Sequence, residues 1–234
     1  MRREQADRAG EVAARVSAVE ARVATACRKA GRRRAEVTII AVTKGFPVQD
    51  ILTLAALGVR DFGENRDQEA RVKAAEVGGV RWHFVGRLQR NKCRSVATYA
   101  DAVHSLDRPE LVAALDDAAG RAARFVDVLV QASLDGQVAR GGAAPADLPA
   151  LAAACAAAPQ LRFSGLMAVA PRHGAPDEWF AQLARLAADL RRDHPRADAI
   201  SAGMSEDFEA AIRHGATHVR IGTALLGGRE PTRR

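Results

Sequence analysis

Lysine is rare in this chain, and one lysine stands where a reactive amine would be useful. Of 35 basic residues, only Lys29, Lys44, Lys73 and Lys92 are lysine, and the rest are arginine. Lys44 ends the apolar run 37–44, directly before Gly45. Arginine keeps its proton near neutral pH, whereas a desolvated lysine can lose it, and the neutral amine attacks carbonyl carbons. We therefore interpret Lys44 as a Schiff-base lysine; the alternative is a solvated charge at the end of a strand.

Two loops near the carboxyl end of the chain offer hydroxyl groups and glycine backbone, which suit an anion. Ser201 and Gly203 lie in one loop, and Gly222 and Thr223 lie in the next. Parallel α/β barrels frequently bind phosphate in the loops after their seventh and eighth strands. Each of these two short sequences is also common in ordinary turns. Their occurrence together in these two loops favours an anion site.

Arg220 interrupts the apolar run 219–223 that precedes the second of these loops. A buried arginine requires a partner, which a bound ligand or a carboxylate such as Glu64 would supply. A phosphate site facing a strand-end lysine indicates a phosphorylated aldehyde. Pyridoxal 5'-phosphate and the sugar phosphate of a class I aldolase both fit, and the residues alone leave the two open.

The elements that must position these residues alternate regularly along the chain. Apolar runs typical of strands cover 37–44, 61–64, 82–86, 102–106, 125–133, 163–170, 199–203 and 219–223. Helix-like segments cover 48–57, 68–77, 109–122, 147–158, 177–192 and 205–214. The first strand is not followed by the G-x-G-x-x-G sequence expected of a doubly wound sheet. We predict an α/β fold with one domain over residues 1–234: a (β/α)8 TIM-type barrel with an extra N-terminal helix over 1–31 that packs on it.

Composition narrows the class of protein. The chain is 48% hydrophobic, has no apolar run of membrane-spanning length, and lacks the apolar stretch of a signal peptide. Cys27, Cys93 and Cys155 show no metal-ligand spacing, which is typical of reduced thiols. The net charge of +7 is spread along the chain without a basic tail. We expect a cytoplasmic protein that binds neither nucleic acid nor membrane, and no metal site.

Several short motifs resemble one known family. They occur in order: Ala41-Val-Thr-Lys44, Phe62-Gly-Glu-Asn65, Trp82-His-Phe-Val-Gly86, His104-Ser-Leu-Asp-Arg108, Gly203-Met-Ser205 and Val219-Arg-Ile-Gly-Thr223. This set, which spans nearly the whole chain, resembles the pyridoxal phosphate homeostasis (PLP-binding) protein family. That family is similar to the barrel domain of alanine racemase standing alone.

The resemblance implies a set of residues that bind pyridoxal 5'-phosphate: Lys44, Asn65, Ser201, Met204, Arg220, Gly222 and Thr223. It implies that Lys44 forms the Schiff base, that Ser201, Gly222 and Thr223 hold the phosphate, and that Arg220 faces the pyridine nitrogen. An arginine there disfavours a protonated ring nitrogen. The family is accordingly regarded as a carrier and regulator, and the resemblance assigns no catalytic residue.

We expect a monomer that buffers pyridoxal phosphate or delivers it to apo-enzymes, without robust catalytic turnover. The alternative is an amino-acid racemase, which requires a second acid or base. Tyr99 is the only tyrosine, and we expect it to pack or lie at the surface. His83 and His104 could be general bases, although strand histidines are usually hydrogen-bonded structural residues. A third class, an interaction module, would use Arg87, Arg90 and Arg94 for docking.

Overall fold

The computed structural model describes residues 2–137 and 141–228, which form a barrel of parallel strands surrounded by helices. The strands are β1 (Thr38–Val42), β2 (Asp61–Glu64), β3 (Arg81–Phe84), β4 (Ala102–Leu106), β5 (Val126–Gln131), β6 (Leu161–Met167), β7 (Ala199–Ser201) and β8 (His218–Ile221). The helices are α1 (Arg2–Lys29), α2 (Val48–Ala56), α3 (Asp67–Glu76), α4 (Cys93–Tyr99), α5 (Pro109–Arg121), α6 (Leu148–Ala157), α7 (Pro176–Asp193), α8 (Phe208–Arg213) and α9 (Thr223–Leu226).

The barrel is closed because β8 returns to pair with β1. Each strand is parallel to its neighbours, and the last pairing aligns Ile40 with Arg220. The strands are rich in buried aliphatic residues on both faces, as expected when helices cover a parallel sheet. Eight strands close into a barrel just wide enough for side chains to fill the interior. The predicted (β/α)8 fold is therefore confirmed.

Helix α1 is additional to the eight βα units and packs against α2, α8 and α9. Its buried face carries valines spaced at helical intervals, among them Val12, Val19 and Val23. Two of its arginines, Arg8 and Arg22, reach across this interface. Arg8 donates to the carbonyl of Leu226 over 2.9 Å and also bonds Asp50 in α2. The helix thus contacts the elements that begin and end the barrel.

Three helices differ from the prediction. Helices α4 and α9 are short, with seven and four residues, and the sequence does not predict them. Polar residues interrupt α4, although its buried positions Cys93, Val96, Ala97 and Tyr99 follow a helical period. Helix α8 begins at Phe208, three residues later than the expected start at Ser205. The carboxylate of Asp207 accepts a bond from the backbone N–H of Met204 over 2.6 Å, so the preceding residues form a turn.

Within the described part of the chain, no helix is both long enough and apolar enough to cross a membrane.

Candidate functional site

Lys44 lies directly after β1, at the carboxyl end of the barrel, and its side chain is half-buried. Helix α3 stabilises the turn that contains Lys44, because the carboxylate of Glu69 in α3 accepts a hydrogen bond from the backbone N–H of Gly45 over 2.8 Å. The position is the one that the sequence predicted for a reactive amine. Active sites of such barrels are built at this end of the strands.

A buried ion pair supports the residue before Lys44. Lys73 of α3 donates to the carbonyl oxygen of Thr43 over 2.8 Å and to Glu64 Oε1 over 2.6 Å. The Thr43 hydroxyl donates to the same carboxylate oxygen, also over 2.6 Å. Burial raises the pKa of Glu64, and the bonds from Lys73 and Thr43 act against this rise. Sequence reasoning missed Lys73, although its rarity in an arginine-rich chain was the available signal.

Asn65 follows β2 on the same rim and is half-buried. Its backbone is held by the next loop, since a Cβ atom added to Gly86 would lie only 2.1 Å from the Asn65 carbonyl oxygen. No residue with a side chain fits at position 86 without displacing Asn65. The glycine of the Trp82–Gly86 motif is therefore required for close packing between the loops after β2 and β3.

The loops after β7 and β8 meet and bring together a cluster of hydroxyl and N–H groups. The Thr223 hydroxyl donates to Ser205 Oγ over 3.1 Å, and the backbone N–H of Ala224 donates to the same oxygen over 3.3 Å. Gly222 lies against β1, because a Cβ atom added to it would lie 3.2 Å from the Val42 carbonyl oxygen. This cluster is therefore adjacent to the strand that carries Lys44.

Gly203 shapes the first of these loops. Its φ of +89° is in the left-handed region, and an added Cβ would lie 2.7 Å from Ala211 Cβ and from Phe208 Cα. Met204 follows with 42% of its side chain exposed. Arg22 of α1 donates to the carbonyl of Ser205 over 3.3 Å, which ties the loop to the N-terminal helix.

Ser201 is not part of the hydroxyl cluster formed by Ser205 and Thr223. It is fully buried at the end of β7, where its Oγ accepts a bond from Arg220 over 2.8 Å and contacts His104 Nδ1 at 2.9 Å. The sequence expectation placed Ser201 among the phosphate ligands. In the structure, Ser205 is half-buried beside Thr223, whereas Ser201 is fully buried, and sequence reasoning had not selected Ser205.

Arg220 points into the barrel and is 5% exposed. Its guanidinium donates to the carbonyl and hydroxyl oxygens of Ser201 and to the carbonyl of Ala168, over 2.7–2.9 Å. The alternative that Arg220 pairs with Glu64 is wrong, because Glu64 is bonded to Lys73. Burial lowers the pKa of Arg220 to about 10, and the nearby Asp207 partly offsets this effect.

His83 and His104 are both buried and contact each other, with His83 Nδ1 and His104 Nε2 3.0 Å apart. His83 Nε2 lies 2.9 Å from Asp61 Oδ1. Burial lowers the pKa of His104 well below its usual value, and the neighbouring His83, His218 and Arg220 act in the same direction. The two histidines are therefore hydrogen-bonded groups of the barrel interior, as the sequence favoured.

Tyr99 and Cys93 carry two further groups that could lose a proton for chemistry, and both are buried by packing. Tyr99 is 9% exposed, and burial raises the pKa of its hydroxyl far above the usual range. Cys93 is 1% exposed, and burial raises the pKa of its thiol to about 11. At neutral pH both groups keep their protons.

The barrel, the strand-end lysine and the hydroxyl cluster define a class of protein. The family model described as "Alanine racemase, N-terminal domain" matches residues 15–230. Solved alanine racemases share the fold at low identity; that of Corynebacterium glutamicum has a TM-score of 0.68 and is 16% identical over 89% of this chain and 60% of its own.

Relatives of higher sequence identity show which protein family the chain belongs to. The pyridoxal phosphate homeostasis protein of Mycobacterium leprae is 42% identical over 95% of both chains. PipY of Synechococcus elongatus, whose structure was solved with pyridoxal phosphate bound, is 34% identical, has a TM-score of 0.82, and is matched over 92% of this chain and 100% of its own. The chain belongs to the pyridoxal phosphate homeostasis protein family.

Proposed function

We propose that the protein binds pyridoxal 5'-phosphate through Lys44 and takes part in vitamin B6 homeostasis by buffering or delivering it. The observation that carries this proposal is the placement of Lys44 after β1 while the hydroxyl cluster follows β7 and β8. An amine and an anion site at one end of the barrel match the aldehyde and the phosphate of the cofactor. The cofactor bound to PipY, a relative of 34% identity, supports the same assignment.

The residues at the carboxyl end of the barrel fit the phosphate and the ring of pyridoxal 5'-phosphate. Thr223 and Ser205 offer hydroxyls, and Gly222 and Ala224 offer backbone N–H groups at the start of α9, where a phosphate is favoured. We propose these as the phosphate ligands. Ser201, which the sequence predicts in the same role, stays a prediction; its hydroxyl contacts His104 and Arg220 in the barrel interior. Asn65 and Met204 would lie beside the ring.

Arg220 is proposed to face the pyridine nitrogen. Its charge is fixed in a buried position by Ser201 and Ala168. When bound, the cofactor supplies a Schiff base and an electron-withdrawing ring. A cation beside the ring nitrogen opposes protonation of that nitrogen, so the ring withdraws electrons weakly. This arrangement suits a carrier more than an enzyme that must stabilise a carbanion.

The racemase alternative requires a second acid or base near the cofactor. Tyr99, the only tyrosine, is buried and its pKa is raised. His83 and His104 are bonded within the barrel interior. These observations favour a protein without robust turnover. We propose further that it acts as a cytoplasmic monomer, with apo-enzymes that use pyridoxal phosphate as recipients.

The proposal is tested by absorption and chemical trapping. Protein mixed with pyridoxal phosphate should become yellow, and borohydride should fix the vitamer onto Lys44. The Lys44→Ala variant should lose both signals, while Lys29→Ala, at the exposed end of α1, should keep them. Protein that takes up no vitamer would refute the proposal. Incubation of loaded protein with L-alanine in deuterated water tests the alternative, since rapid α-exchange with accumulation of D-alanine would indicate a racemase.

A further inference from the structure

A continuous row of polar side chains crosses the barrel interior from β2 to β8. Asp61 Oδ1 lies 2.9 Å from His83 Nε2, and His83 Nδ1 lies 3.0 Å from His104 Nε2. His104 Nδ1 lies 2.9 Å from Ser201 Oγ, which accepts a bond from Arg220 over 2.8 Å. Both histidines, Ser201 and Arg220 are at least 95% buried. Each ring nitrogen in the row therefore has one protein partner.

The direction of each hydrogen bond follows from the end of the row at Asp61. Burial acts to raise the pKa of Asp61, but the bond from His83 and nearby positive charges outweigh it, so the pKa is lowered and the carboxylate can only accept. His83 must then carry its proton on Nε2. With His83 as a neutral imidazole, its other ring nitrogen accepts, so His83 Nδ1 accepts a hydrogen bond from His104 Nε2.

The same reasoning continues to Arg220. With its proton on Nε2, a neutral His104 accepts at Nδ1, and the donor is the hydroxyl of Ser201. The hydroxyl hydrogen of Ser201 thus points at His104, and both lone pairs of Oγ point away from that ring. One of these lone pairs accepts the hydrogen bond from Arg220. All donors in the row point from Arg220 towards Asp61.

We propose that Asp61, His83 and His104 are positioning residues, a directional relay that fixes the Ser201 hydroxyl as an acceptor and so holds the Arg220 guanidinium in place. The inference deepens the proposed function, on which it rests, because Arg220 is the group proposed to face the pyridine nitrogen. The relay explains why two histidines lie inside the barrel without contacting its mouth. Hydrogen-bonded second partners commonly determine how a ligand-contacting group is oriented.

In the alternative arrangement, the hydrogen bonds between the two histidines and Ser201 have the opposite direction. An extra proton on His83 would make its Nδ1 a donor, His104 would then donate from Nδ1, and two donors would converge on Ser201 Oγ. The charged and titratable groups that face the row include Arg81, 4.0 Å from Asp61, His218, whose ring centroid is 6.1 Å from that of His104, and Asp207, whose charge acts on Arg220. Burial lowers the pKa of His218 to about 4.

Nitrogen NMR of the full chain without added vitamer tests the polarity directly. We expect long-range ¹H–¹⁵N spectra to show His83 and His104 both protonated on Nε2 and unprotonated on Nδ1. A His104 that carries its proton on Nδ1 in the wild-type protein would overturn the relay.

The Asp61→Asn variant should reverse the row, because an amide can donate to His83 Nε2 and thereby force the other tautomer. We expect both histidines to move their proton to Nδ1 and the Arg220 Nη resonances to shift. The matched control is Asp127→Asn, which removes the same charge from the same end of the barrel but pairs with Arg81 and Arg162. That control should keep the wild-type tautomers.

Binding of pyridoxal phosphate supplies the second measurement. We expect Asp61→Asn to weaken binding about tenfold and to shift the absorption maximum of the loaded protein, while Asp127→Asn does neither. Reversed tautomers with unchanged affinity and unchanged Arg220 resonances would refute the positioning role. If the wild-type chain binds no pyridoxal phosphate, the proposed function fails, but the tautomers and the Arg220 resonances still decide the relay.

Discussion

Replacing Lys73 with methionine removes the ammonium that is bonded to the buried carboxylate of Glu64. Lys73 is 6% exposed and Glu64 is fully buried, and their charged atoms are 2.6 Å apart. Breaking a buried pair from one side typically costs about 3–5 kcal/mol, because the remaining charge is unpaired. We therefore expect Lys73→Met to lower the free energy of unfolding far more than a surface substitution would.

The loss of unfolding free energy in Lys73→Met has an upper bound, since Glu64 can take up a proton instead of remaining charged. Protonating a carboxyl with an ordinary pKa of about 4.3 costs about 3.7 kcal/mol at pH 7 and about 1 kcal/mol at pH 5. Loss of the bond from Lys73 to the Thr43 carbonyl adds about 1 kcal/mol at either pH. At pH 7 a loss of 3–4 kcal/mol lowers Tm by about 6–16 °C for a domain of this size.

The sign of the pH dependence follows from the same group. Burial raises the pKa of Glu64 in the folded protein, and removal of Lys73 raises it further. The folded variant therefore binds more protons than the unfolded chain above about pH 4.3, and its stability falls as the pH rises from 5 to 8. Wild-type protein, which keeps the ammonium, should show a weaker dependence.

Urea unfolding at pH 5 and pH 8 measures these differences. The double variant Glu64→Gln/Lys73→Met should regain most of the stability at pH 8, because it leaves no unpaired buried charge. Lys29→Met, an exposed substitution at the end of α1, should change stability by less than about 0.5 kcal/mol. A Lys73→Met variant whose loss is the same at both pH values would contradict this account of Glu64.

Three further outcomes are expected. Gly203→Ala should lower the free energy of unfolding by about 3 kcal/mol in a thermal or urea titration, because the methyl group meets Phe208 and Ala211 at a positive φ; an unchanged Tm would contradict the close packing. Cys93 should react with iodoacetamide very slowly at pH 8, and its rate in the folded protein should rise only as the pH approaches about 11. Thr223→Val should weaken binding of pyridoxal phosphate about tenfold by absorption titration without changing Tm, and equal affinity would exclude this hydroxyl as a phosphate ligand.

Much of the architecture could be predicted because local patterns specify it. The eight strands were found from apolar runs that are buried on both faces, and Lys44 was found from its rarity and its place after such a run. Short helix α4 was missed because seven residues carry too few periods to stand out. Boundaries shifted by one to three residues where loops continue a strand's apolar character, as at 125–133 for β5.

The side-chain partners inside the barrel could not be predicted from the sequence. Asp61, His83, His104 and Ser201 lie on four different strands, and their meeting depends on strand stagger, which single-sequence patterns do not encode. The same limit applies to the two serines near Gly203, because the sequence does not show that Ser201 contacts His104 and Arg220 while Ser205 contacts Thr223. Both serines flank the loop at Gly203, in which Ser201 is fully buried and Ser205 is half-buried.

The contacts of α1 also bear on when the site can form during synthesis. Arg8 bonds the carbonyl of Leu226, which is 218 residues later, and Arg22 bonds the loop at Ser205. The helix is therefore synthesised well before these partners, since the ribosome adds about 5–20 residues each second. The barrel cannot close before β8 has left the ribosome, so the nascent chain acquires its complete binding mouth only after β8 and the loop that follows it have emerged.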